Sequence, residues 1–225
     1  MSDTRAVVDP HPPVPDGTHE PQRPGPVVTT GPDPTPIVRA VATRLRVALR
    51  GDRGRQALQR LPGSDPIVLR SVFDAQRATL NRTSQGLHVD TPGPGSPTAT
   101  LGVDPSLLTV SSANGDDLAI ETVSVLLNPD PPPLAAAAED FWALSCPMPG
   151  MPGLVLSAAD TGEVVRVGPQ EEPYEIHGSD IDLRRLAAGL DWLLPSIRAG
   201  RFAIKGTHRQ LSVVIGASMK AVYDV

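Results

Sequence analysis

Between Ile37 and Leu49 the apolar residues Ile37, Val41, Leu45, Ala48 and Leu49 recur every three or four positions, with Arg39, Arg46 and Arg50 turned away. That period predicts an amphipathic helix ended by Gly51. A second short helix is predicted over 55–61, stopped by Pro62 and Gly63, and a third over 66–80, after Asp65 and with Pro66 at its first position. From Gly86 onward the runs become short and rich in Val, Ile, Leu and Thr. Residues 107–111 and 118–127, parted by Asn114-Gly115, predict an antiparallel hairpin. The run NPDPPP (128–133) can continue neither strand nor helix, because successive prolines remove backbone donors, and it predicts a boundary.

Beyond the boundary, 134–140 reads as an Ala-rich helical turn, which 141–146 either extends or leaves for a strand. Strands are predicted over 154–157, 163–167 and 174–177, separated by the loop PMPGMPG and the turn Asp160-Thr161-Gly162. Ser179-x-x-Asp182 resembles a capping box and Thr207-x-x-Gln210 matches one, so each opens a helix. With Gly189, Gly200 and Gly206 as punctuation, the C-terminal end reads strand, helix, short helix, strand (201–205), helix. The β-branched run SVVIGAS (212–218) predicts a final element that is bent or partly strand.

Composition changes the picture at the N-terminus. Ten of the 26 prolines fall in the first 36 of 225 residues, and little there could bury surface, so 1–36 is predicted to be a disordered tail. No apolar run approaches the ~20 residues needed to cross a bilayer, which excludes an integral membrane protein. The N-terminus shows no basic and apolar leader pattern, and Cys146 is the sole cysteine. The expected compartment is the reducing cytoplasm. Arginine outnumbers lysine 18 to 2, which fits a GC-rich bacterial genome.

Charge divides the chain. Residues 37–85 carry ten arginines (39, 44, 46, 50, 53, 55, 60, 70, 77, 82) against three aspartates, for a net +7, whereas 86–180 carries a net −13. The two segments should attract each other, and intramolecular complementarity or plain solvation is favoured over a nucleic-acid face.

The stretches IHGSDIDLRRLAAG (176–189), LDWLLPSIRAG (190–200), RFAIKG (201–206) and THRQLSVVI (207–215), with the upstream LVLSAADTGEVVRVG, resemble the C-terminal half of the type-2 sterol carrier (nonspecific lipid-transfer) family. The resemblance covers about 90 residues, 134–225, and consists of structural punctuation. It implies an α+β domain with a mainly antiparallel five-stranded sheet, helices on one side, and a tunnel between them for an acyl chain or sterol. The residues that would line such a tunnel are Phe141, Trp142, Leu186, Trp192, Ile197, Phe202, Ile204, Leu211 and Met219; the plainer reading makes them an ordinary core.

Three divisions follow: a tail (1–36), a basic helical segment with a hairpin (37–130), and a sterol-carrier-like domain (134–225). The five histidines (11, 19, 88, 177, 208) are scattered, Cys146 has no CxxC partner, and no catalytic or phosphate-binding motif occurs, so neither a metal site nor a cofactor is expected. Asp180 and Asp182 are read as first-turn helix acids rather than an acid/base pair. The leading expectation is non-enzymatic binding of a lipid or other apolar small molecule. The alternatives are a ligand-sensing regulator with a helix-turn-helix at 37–85 and its wing at 107–127, and a scaffold whose sterol-carrier-like fold is closed. Oligomeric state is not legible in the sequence.

Overall fold

The computed structural model describes residues 26–63, 66–93, 96–105 and 108–223. Four consecutive β-branched residues form β1 (Val27–Thr30), so the predicted tail ends earlier than residue 36; residues 1–25 lie outside the described residues. Helix α1 (Pro36–Arg50) and α2 (Asp52–Arg60) follow as expected. Then come β2 (Ile67–Ser71), β3 (Arg77–Thr83), β4 (Gly86–Asp90), β5 (Ala99–Val103), β6 (Val110–Gly115) and α3 (Asp117–Leu127).

Two expectations for this region are corrected. The third helix does not form: Ile67, Leu69, Ala78 and Leu80 are buried and alternate with Val68, Arg70, Arg77 and Thr79, which is the period of a hairpin. Its turn is tied by the Ser71 hydroxyl, which accepts from the N–H groups of Phe73 and Asp74. Conversely, 118–127 is helix where a strand was expected. The Asp116 carboxylate accepts from Ala119 N at 2.7 Å, capping the first turn, and Ala119, Thr122, Val123, Leu126 and Leu127 bury one stripe.

The first sheet has the order β1-β4-β3-β2-β5-β6, with β1 parallel to β4, β2 parallel to β5 and the other pairs antiparallel. Val28, Leu69, Leu80, Leu87 and Leu101 turn inward against the helices.

The C-terminal unit comprises α4 (Leu134–Ser145), β7 (Leu154–Ala158), β8 (Val164–Val167), β9 (Tyr174–Gly178), α5 (Asp180–Ala187), α6 (Leu193–Arg198), β10 (Ala203–Lys205) and α7 (His208–Tyr223). The Ala-rich turn extends as helix through Ser145, and SVVIGAS lies inside α7, its β-branched residues held helical as Val214, Ala217 and Ser218 pack inward. The sheet has four strands in the order β10-β9-β7-β8, and it is mixed rather than mainly antiparallel and five-stranded. The hairpin partner β8 occupies one edge of β7, so β9 adds at the other edge, running parallel.

The whole is α+β. Helix α1 packs on both the first sheet and α7, and Val222 of α7 is buried in the N-terminal core. The helices of the two units therefore form the middle of the molecule, and each sheet turns one face to solvent. No helix among the described residues is long and apolar enough to cross a membrane.

Candidate ligand site at the seam between the units

The charge division of the sequence is realised across the seam. Arg50 pairs with Asp140 at 2.9 Å and Arg53 with Asp130 at 3.4 Å, both exposed. Arg44, on the face of α1 turned toward the C-terminal unit, is buried; its guanidinium donates to the carbonyls of Leu127 and Leu190 and lies 3.8 Å from Asp191. Asp191, 1% exposed, also accepts from Arg185 at 2.9 Å through both oxygens and from Arg201 at 2.9 Å. One buried carboxylate thus organises three arginines.

Burial alone would push the Asp191 carboxyl up, but hydrogen bonds from Arg185 and the charges of Arg185, Arg201 and Arg44 outweigh it and hold the group below the usual aspartate range. Arg44 is brought down to about 10 by burial and then by repulsion from Arg185, with Asp191 opposing, so it stays cationic at neutral pH.

Beside this cluster the seam opens into a cavity of about 270 Å³. Val47 of α1, Ala137, Phe141 and Leu144 of α4, Ala187 of α5 and Ala221 of α7 supply apolar wall, while Arg46, Arg50 and Asp140 supply charge. Thr43 also lines the cavity, with its hydroxyl itself buried and without a hydrogen-bond partner. At ~30 Å³ per water in the liquid, the space equals about nine waters. Apolar walls with a few polar groups, placed between two units, are the usual make-up of a small-molecule site.

The nine residues expected to line a tunnel do not line one cavity. Phe141, Leu186 and Phe202 are buried in the C-terminal core, and Trp142, Ile197, Ile204 and Leu211 pack partly exposed against it. Trp192 belongs to the N-terminal core, edge-to-face with Tyr223 at 5.7 Å, and Met219 is 41% exposed. The internal gap between the second sheet and its helices has a volume of about 10 Å³, room for at most one water, and only Phe141 and Leu186 of the nine border it. The side chains of α4, α5 and α7 interdigitate with Leu154, Leu156 and Ile176 and fill the rest.

Sequence reasoning found Phe141 but missed Thr43, Arg46, Arg50 and Asp140; the signal that could have found them was the complementary charge of the two segments. Asp180 and Asp182 do not converge on a reacting position: Asp180 pairs with Arg184 at 3.1 Å, and Asp182 with the Ser179 hydroxyl at 2.6 Å and Arg201 at 3.5 Å. His177 lies 3.3 Å from Glu175, and Cys146 is exposed at the end of α4. Among the described residues no group of three or more His, Cys, Asp or Glu side chains is placed to hold a metal ion. No protein-family model, curated protein or solved structure matches this chain.

Proposed function

We propose that the protein is a non-enzymatic binding module that holds a small amphiphile, with an apolar body and an anionic end, in the seam cavity. The observation that carries this reading is the meeting of Phe141, Leu144 and Ala221 with Arg46 and Arg50 in one 270 Å³ space. The pair Arg50–Asp140 is 63% and 64% exposed, so a ligand carboxylate exchanges for Asp140 at little cost. About five buried methylenes give roughly 4 kcal/mol gross, and a charge-assisted hydrogen bond adds about 2 kcal/mol. After the losses of association the affinity is weaker than micromolar.

The regulator reading has less support, because 67–83 is a hairpin where its third helix was expected and α1 is buried along eleven of its fifteen residues.

Titration of the isotope-labelled protein with octanoate tests the proposal. Amide shifts should cluster on α1, α4 and α7, octanol should bind several-fold more weakly, and Ala188→Phe, which fills the cavity from a half-buried position, should abolish the shifts. Shifts confined to Leu156 and Ile176 would return the ligand to the C-terminal core. Absence of saturable shifts would favour the closed scaffold.

A further inference from the structure

Of the ten arginines in the basic segment, most are engaged. Arg44, Arg50, Arg53 and Arg55 have carboxylate partners, Arg39 and Arg82 donate to the carbonyls of Pro34 and Leu61, and Arg46 is also engaged. Arg60, Arg70 and Arg77 have no such partner among the described residues, and of these Arg70 and Arg77 stand together. They are direct partners on β2 and β3, both exposed on the solvent face of the first sheet, and neither has an ion pair or hydrogen bond among the described residues. Directly opposed residues have Cβ atoms about 5 Å apart, and like charges so placed repel. The acid in the adjoining turn, Asp74, pairs with neither: its carboxylate is engaged by Gln76 through the backbone and side-chain N–H groups.

The same register continues across the sheet from Arg70 to Gly102 on β5 and Ser112 on β6. Because residue 102 has no side chain, the Ser112 hydroxyl and the Val72 methyl lean in over it; a Cβ would stand 2.3 Å from the first and 3.2 Å from the second. A depression there, about 420 Å³, is lined by Arg70, Ser71, Val72, Thr100, Ser112 and Asn114. The side chains of Thr100, Ser112 and Asn114 have no hydrogen-bond partner among the described residues. The next residue after Val72, Phe73, is 74% exposed.

We propose that this face binds a small phosphorylated sugar, with Arg70 and Arg77 holding the phosphate and Thr100, Ser112 and Asn114 bonding the sugar hydroxyls. Two guanidinium forks on adjacent strands suit a tetrahedral oxyanion with several acceptor oxygens. The hydroxyl and amide row supplies the donors and acceptors that a sugar, and not a bare anion, would use. The site is on the opposite side of the first sheet from the seam and does not depend on it.

The test is titration of the full chain, followed by amide shifts, with ribose 5-phosphate, adenosine monophosphate, inorganic phosphate and ribose. Ribose 5-phosphate should bind at least about tenfold more tightly than phosphate or ribose alone, with shifts on β2, β5 and β6. Arg70→Gln and Arg77→Gln, at exposed positions and with unchanged melting temperature, should each weaken it about tenfold. Ser112→Ala should weaken ribose 5-phosphate severalfold and leave phosphate unchanged. Tighter binding of adenosine monophosphate would identify a nucleotide stacked on Phe73, and equal binding a free sugar phosphate. No saturation by about 10 mM, equal binding of phosphate alone, or binding indifferent to both arginine substitutions would overturn the proposal.

Discussion

In the C-terminal unit, α5 and α7 are started by their own neighbours. The Ser179 hydroxyl accepts from Asp182 N at 3.2 Å; Thr207 does the same for Gln210 N at 3.2 Å, and the Gln210 side chain accepts in return from Thr207 N at 2.8 Å. In the N-terminal unit α1 has no side-chain cap of its own. Its first-turn donor, Ile37 N, finds the Gln76 Oε1, 39 residues on and in a turn between two strands. Helices α5 and α7, like α3 with its Asp116 cap, begin with local chemistry; α1 begins with a contact that exists only once the sheet has formed. The seam is of the second kind, since Arg44 bonds carbonyls 83 and 146 residues away. Losses at long-range contacts should therefore spread through the molecule, whereas losses at local caps should stay small.

The largest effect is expected at Asp191. Asp191→Asn leaves Arg44, Arg185 and Arg201 without their shared carboxylate, and urea unfolding at pH 7 should show a loss of about 3 to 5 kcal/mol. Because the folded-state carboxyl lies below its ordinary value of 3.8, its stabilisation is complete above that pH and is lost as pH falls through the lower folded value. The variant should lack this part of the acid dependence; an acid profile identical to that of the parent would remove Asp191 from the centre of the seam.

Next in size is the end of the predicted tail. A chain beginning at residue 37 should melt several degrees below one beginning at residue 26, because it lacks β1, with its buried Val28, and Pro36 of α1. Equal melting temperatures would mean that β1 contributes nothing to the sheet.

Within the C-terminal unit, Gly206→Ala would place a Cβ 2.3 Å from the ring of buried Tyr174 and should cost about 1 to 3 kcal/mol. Gly200 stands at φ 73° in open space, so Gly200→Ala should cost only the backbone term, about 1 to 2 kcal/mol. A reversed order would contradict the close packing of Tyr174 against the turn. The smallest effect is Ser179→Ala, about 1 kcal/mol, read in the same denaturation experiment.

This contrast also explains what was legible in the sequence. Most C-terminal elements are legible because capping boxes, Gly200, Gly206 and the Asp160-Thr161-Gly162 turn mark their ends within a few residues; the extension of α4 through Ser145 and the helical course of 212–218 are not. In the N-terminal unit, 66–80 holds apolar residues that fit a helix as easily as a hairpin, and the pairing of β2 with both β3 and β5 decides between them. Asn114-Gly115 has the sequence of a hairpin turn, yet it ends β6, and Asp116, the next residue, caps a helix. The strand order of the second sheet, and the filling of the space beneath it, depend on side-chain volumes from α4, α5 and α7 that no local pattern encodes. The seam cavity was foreshadowed only by the opposed charges of the two segments.

Differential scanning calorimetry of the intact chain at pH 7 tests the central claim, that the seam joins the two units into one cooperative body, most directly. A single transition is expected whose calorimetric and van't Hoff enthalpies agree, splitting or broadening in Asp191→Asn. Two separate transitions in the unmodified protein, unmoved by that substitution, would contradict it.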